Sequence, residues 1–171
     1  MKSDAKISKY LSLYEATCFY MAEQMGVNNI PEGDNYKNMI ETATEIFDPC
    51  REAMGGPLFC HALYRGPELN AKTSGADPNS DHLRAQAVDM DCDQYQNGDN
   101  RKLFMYVLNH LDYDNLIWEK GDDKKPDWVH VSFKPNNRKL LSRKVNGQPM
   151  KIHYDPKALV SERLRFLNIP A

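Results

Sequence analysis

His82, Asp89 and His130 are the residues in this chain whose types and order could do chemistry, set in the stretches SDHLRAQAVDMD and PDWVHVSF. Two imidazoles and one carboxylate have the make-up of an open zinc site, in which three protein ligands leave a fourth position for water. Asp127, three residues before His130, is a carboxylate able to take a proton from that water. The chemistry this predicts is metal-assisted hydrolysis.

These residues must be brought together by the fold, because His82 and Asp89 are seven apart, a spacing that neither a helix nor a continuous strand would place side by side. We expect a loop to carry His82 and the entry to a strand to carry Asp89. His130 is expected on a strand, where alternation puts it with Ser132 on one face and leaves Val129, Val131 and Phe133 on the other. Strand patterns fall at 58–64, 87–92, 116–119 and 128–133, as short apolar, aromatic and β-branched runs bounded by Gly, Pro, Asn or Asp.

Helical spacing of apolar residues is clearest over 36–54 and recurs over 101–111, with Asp99 or Asn100 as its cap. A further helix is predicted over 15–25, stopped by Gly26 and the following Asn pair. The segment 66–81 reads as a long ordered loop with one helical turn near 67–70. Asn146-Gly147 predicts a two-residue hairpin between 140–145 and 150–154, and 156–167 a last helix.

The chain has 171 residues, of which 41% are hydrophobic and 27% charged, with a net charge of -2. That size and composition suit one globular domain over 1–171, with its core over about 7–133 and a C-terminal hairpin and helix over 134–171. The charge balance lacks the basic excess of a nucleic-acid binder. No run has the length of a membrane span, and residues 1–24 lack the apolar stretch of a secretory leader. Cys18, Cys50, Cys60 and Cys92 form no C-x-x-C pair and read as buried thiols of a protein made in a reducing compartment.

Of the remaining candidates, Cys60-His61 reads as core packing plus one exposed imidazole, and His110 as a partner of a helix dipole. Trp118 and Trp128 read as packing residues. The basic residues Lys134, Arg138, Lys139, Arg143 and Lys144 read as a solvated face, with anionic wall polymers as the sharper alternative.

The stretch ALYRGPELNAKTSGADPNSDHLRAQAVDMD, followed by DNLIWEKGDDKKPDWVHVSF, resembles the zinc peptidase family that includes D-Ala-D-Ala carboxypeptidases and phage L-alanyl-D-glutamate endopeptidases. That family has an arginine ending a strand, then an asparagine, then Ser-x-His-x-x-Gly-x-Ala-x-Asp, and finally an acid three residues before a second histidine. Arg65, Asn70, Ser80, His82, Ala87, Asp89, Asp127 and His130 match in order, and the likeness covers roughly 7–133. Ala85 stands where the family has glycine, so a positive φ there would have to be carried by an alanine.

The resemblance implies Zn2+ ligation by His82, Asp89 and His130, Asp127 as general base, Arg65 over the scissile carbonyl, and Ser80 and Asn70 on the substrate side. It implies an α+β fold of the D-Ala-D-Ala carboxypeptidase (Hedgehog-like) type. In it a small, mainly antiparallel sheet carries the zinc site and helices pack on one side. The implied partners are peptidoglycan peptides, met by a monomer without nucleic acid or membrane insertion. The implied setting is a phage or prophage lysin, made in the cytoplasm and reaching the wall through a holin or in the phage particle. Its alternative is a non-catalytic zinc-containing phage structural or wall-binding protein.

Overall fold

A computed structural model describes residues 5–95 and 98–170. The first four residues of the stretch read for a leader and the last residue of the 134–171 segment lie outside these. Among the described residues six strands form one sheet: β1 (Phe59–Ala62), β2 (Ala87–Asp91), β3 (Asn115–Glu119), β4 (Trp128–Ser132), β5 (Leu140–Lys144) and β6 (Lys151–His153). Their order across the sheet is β1-β2-β4-β3-β5-β6.

The helices are α1 (Leu13–Ala16), α2 (Phe19–Gln24), α3 (Asp34–Thr42), α4 (Asp48–Met54), α5 (Pro67–Lys72), α6 (Asn100–His110) and α7 (Val160–Phe166). The α+β class is as expected. The sheet is mixed, however, where a small and mainly antiparallel one was predicted, because β5 pairs in parallel with β3. The cause is the short connection after β4, which rounds the Asn115 end of β3 and lays β5 on its far side.

Alternation sorts the sheet into two faces. Val88 and Met90 of β2, Val129 and Val131 of β4, Leu116 and Trp118 of β3 and Leu141 of β5 are buried together in the core. Against them pack Met39, Ala43, Ile46, Phe47 and Cys50 from the 34–54 helical run and Leu103, Phe104 and Val107 from α6. The opposite face carries Asp89, His130, Ile117 and Ser142 in one cross-strand row.

The 36–54 stripe forms as predicted but with a π-helical stretch, Ala43–Phe47, between α3 and α4. Pro49 sits in the first turn of α4, where its ring and missing N–H disrupt the preceding ladder, and the wider turn accommodates it. The helix expected over 15–25 is broken in two at Cys18, which has φ 50°. Leu63 N and Tyr64 N both donate to Ala16 O, taking the carbonyl that a continuing helix would use. Gly26 ends α2 with φ 64°, as expected.

Asp99 is the cap of α6, accepting from the amides of Arg101 and Lys102. Asn100 is instead the first helical residue, fully buried, accepting from Cys92 N and donating to Asp91 and to the carbonyl of Asp127. The late hairpin forms with a wider loop than two residues. Gln148 N donates to Val145 O, and Gly147 but not Asn146 has positive φ, which is the type II pattern and not type I′. All four cysteines are free and buried.

Of the basic residues read as a solvated face, Arg138, Lys139 and Lys144 are exposed as expected, whereas Lys134 and Arg143 are drawn into charge pairs. Asp114, fully buried, accepts from Arg138 Nε at 2.6 Å and lies 2.9 Å from Lys134 Nζ. Lys134 also reaches Asp81 at 2.9 Å, and Arg143 is buried against Asp123 and the carbonyl of Leu167. Burial alone would raise the Asp114 carboxyl, but the bonds from Arg138 and Lys134 outweigh it and hold its pKa at about 2.

A depressed carboxylate contributes stability that is complete above its unfolded pKa and is lost as pH falls through the folded one. Asp114→Asn is therefore expected to destabilise the protein by about 1–3 kcal/mol at pH 7. It should also flatten the loss of stability of the parent between about pH 4 and 2. Urea titrations of both proteins across that window measure it, and parallel curves would contradict this stabilisation by Arg138 and Lys134.

Candidate metal centre

Each of the three candidate ligands comes from a separately braced element. Asp89 lies in the middle of β2, not at its entry, directly across from His130 of β4. His82 lies on a short 3-10 turn, Asp81–Arg84, capped by the Ser80 side chain, which accepts from His82 N. His82 Nδ1 donates to Leu63 O at 3.0 Å, so its neutral ring carries the lone pair on Nε2. Arg65 N donates to His82 O, so the segment after β1 grips this histidine by both ring and backbone.

Nε2 of His82 is 3.1 Å from Asp89 Oδ2, and Nδ1 of His130 donates to Asp89 Oδ1 at 2.7 Å. The two imidazoles meet edge to face at 5.1 Å. One ligand atom from each of the three residues lies within 4.8 Å of the others. Tetrahedral ligands at zinc distances are separated by about 3.3 Å, so a two-nitrogen, one-carboxylate set of this spacing fits zinc. Its only charged ligand is an acid that is already ionised.

Burial alone would raise the Asp89 carboxyl; the His82 and His130 charges outweigh it and hold it well below the usual carboxylate range. Burial would likewise lower His130, and Asp89 and Glu119 outweigh it and raise its pKa. The cluster is thus an ionised carboxylate held between two imidazoles, and a metal bound there would displace the Nδ1 proton that His130 donates to it.

Arg65, Asn70 and Ser80 form a second group beside the turn that carries His82. Arg65 Nε donates to Asn70 Oδ1 at 3.0 Å, and its Nη2 lies 3.5 Å from Ser80 Oγ. Asn70 is buried and spends its amide on Asp77 O. Both residues expected on the substrate side are therefore bonded to the arginine itself.

Asp127 is exposed, with its backbone fixed by Glu119 O and by the Asn100 side chain, and its carboxylate is not among the clustered ligand atoms.

Ala85 ends the 3-10 turn with φ 53° and is fully buried, so the position does take the left-handed backbone that the family's glycine would favour. Thr42 Oγ1 donates to its carbonyl and ties the turn to α3. Of the other candidates, Cys60 is buried as expected, and His61 is half-buried, 3.3 Å from Asp91. Trp118 is a core residue, whereas Trp128 lies half-buried on the site face with Lys120 4.7 Å over its ring. His110 ends α6 beside Tyr106. A hollow of about 390 Å³ lined by Asp123, Arg143, Gln148 and Lys151 lies by the β5–β6 loop, and neither His82 nor His130 lines it.

Glu119 went unremarked in the sequence. It is 7% exposed, closes β3 on the same face as His130, and has a carboxylate oxygen, Oε2, with no hydrogen-bond partner. Burial pushes its pKa above the ordinary carboxylate value, against the pull of His130 and Lys144. The available signal was an acid ending the run NLIWE in register with Asn115 and Ile117.

An antiparallel pair joining a carboxylate to an imidazole, with a second imidazole brought in on a braced turn, has the make-up of a mononuclear metal centre of the metallohydrolase kind. The chain belongs to the peptidase M15 family of zinc metallopeptidases, whose family model matches residues 9–132 and so spans all three ligands. No curated protein matches the chain. Among the described residues no helix is long and apolar enough to cross a membrane.

Because the imidazoles must shed protons to bind a cation, zinc affinity should fall by about tenfold or more between pH 7.5 and 5.5. Competition against a chromogenic chelator measures this. Asp89→Ala should abolish stoichiometric binding, and one zinc retained by that variant would refute the ligand set.

Proposed function

We propose that this protein is a zinc-dependent peptidoglycan peptidase that hydrolyses a stem or cross-link peptide bond of the bacterial cell wall. The observation that carries this reading is the His82, Asp89 and His130 cluster within a chain of the M15 family. The setting of a phage or prophage lysin rests on the resemblance of its motifs to the phage endopeptidases.

In this reading His82 Nε2, Asp89 and His130 Nδ1 hold the zinc. When bound, the ion supplies Lewis acidity, making water a nucleophile near neutral pH. Asp127 takes one proton from the attacking water as its oxygen bonds to the carbonyl carbon. It returns that proton to the nitrogen as the C–N bond breaks. Arg65 presents a fixed guanidinium to the carbonyl oxygen as negative charge develops there, an effect worth about 3 kcal/mol. Asn70 and Ser80 act through Arg65, holding its guanidinium by the two bonds described above.

A non-catalytic zinc protein of the same family is the competing reading. A structural zinc site is normally closed by four protein ligands, whereas three come together here. A positioned arginine and an acid at Asp127 also serve no purpose in a purely structural site.

Purified protein stripped of zinc should lose cleavage of muropeptides and regain it when zinc returns. Asp127→Asn should retain the metal and lose at least about 100-fold in kcat. Mass spectrometry of the digested muropeptides identifies the bond, and full activity of the zinc-free protein would overturn the proposal.

A further inference from the structure

The face of the sheet that carries the candidate metal ligands also carries Glu119. Ile117 lies directly across from His130, and Glu119, two residues on, lies across from Trp128. Residues two apart on a strand share a face, and a diagonal cross-strand neighbour is about 7–8 Å away, within reach of a glutamate side chain. Glu119 is therefore the diagonal neighbour of His130, and its charge is felt by that ring together with those of Asp89 and Asp81. It lies outside the set of atoms close enough to share one ion.

Its carboxylate is buried without a matching donor. Glu119 is 93% buried by its 7% exposure, yet Oε2 makes no hydrogen bond. The nearest cation, Lys144 Nζ, stands 4.0 Å from that oxygen on a side chain about half exposed. That is beyond hydrogen-bond reach, and a surface pair of this kind is worth about 1 kcal/mol or less. A buried carboxylate lone pair without a donor costs more, about 1–3 kcal/mol. Unsatisfied buried acids facing a metal cluster are kept for function more readily than for stability.

We propose that Glu119 is a further residue of the hydrolytic site, whose Oε2 accepts a hydrogen bond from the attacking water and orients it towards the scissile carbonyl. The assignment rests on the function proposed above. A water molecule has two hydrogens, and two carboxylates can take one each. Asp127, exposed beside the strand, receives the proton that leaves with the amine nitrogen, while Glu119, buried beneath, holds the hydrogen that stays on the oxygen.

Glu119→Gln tests this, since it keeps the shape and removes the charge. Expected are a loss of about 100-fold or more in kcat for muropeptide cleavage, one zinc per chain, a zinc affinity within about threefold of the parent, and a melting temperature equal to or above it. A kcat within about threefold of the parent would overturn the proposal. So would zinc lost together with activity, which would make Glu119 a prop for the ligands.

Cobalt substituted for zinc separates this from the parent reading. Glu119→Gln should shift the pH at which the visible cobalt band of the parent changes, whether or not the parent cleaves muropeptides. An unshifted band overturns the role of Glu119. A parent that holds its metal but cleaves no muropeptide overturns the proposed function instead.

Discussion

An ionised carboxylate in the middle of a sheet is the constraint on which the rest of this structure depends. Asp89 sits on β2 between two other strands, flanked in sequence by the fully buried Val88 and Met90. Taking such a charge out of water costs several kcal/mol unless opposite charge and hydrogen bonds compensate. Strand alternation aims the carboxylate away from the apolar layer, and register places His130 directly opposite. The third side is closed by His82, whose own ring is held by Leu63 O. Removing either imidazole would leave the acid short of a partner, so the three residues are one electrostatic unit before any metal arrives.

That unit requires a chain path with local costs. The turn that delivers His82 passes through Ala85 in the left-handed region, which costs a non-glycine residue about 1–2 kcal/mol. Glycine would relieve this, yet it would also forfeit a buried methyl and increase the entropy of the unfolded chain by about 0.4–1 kcal/mol. The opposing terms nearly cancel, which explains how an alanine can occupy the family's glycine position. Thr42, bonded to Ala85 O, fixes the turn to the helical layer. The strain is thereby held from the side of the core and does not displace the imidazole.

Features governed by short-range repeats were legible in the sequence. The period-two pattern of VHVSF placed His130 on the polar face, and β2, β3 and β4 fall within a residue of their expected bounds. What could not be read depends on distant partners. The break at Cys18 arises because two amides beyond β1 claim the Ala16 carbonyl, forty-odd residues away. The π-helical stretch reflects Pro49 inside an otherwise regular apolar stripe, where the period survives although the hydrogen-bond ladder changes. Within the site, the candidate ligands stood out because their types and order are distinctive. The bonds from Arg65 to Asn70 and Ser80 were not, since polar residues in a loop give no sign of which partner they choose.

Glu119 was hidden for a different reason: its burial is created by β5, which the sequence marks as one arm of a hairpin without a sign of which strand it pairs with. With only β1, β2 and β4 alongside, β3 would be an edge, and an acid at its end would face water as edge charges commonly do. The parallel pairing of β5 makes β3 interior and sets Lys144 opposite Glu119 and Ser142 opposite Ile117. β5 lies after residue 132, beyond the part of the chain matched by the family. Its position is secured by Asp114, which binds Arg138 and Lys134 in the connection rounding β3. The charge clamp that joins Asp114, inside the matched segment, to Lys134 and Arg138 beyond it thus helps set the dielectric surroundings of an acid on the face that carries the candidate ligands. The environment of the centre is accordingly set by the C-terminal strands as well as by the motif that supplies its ligands.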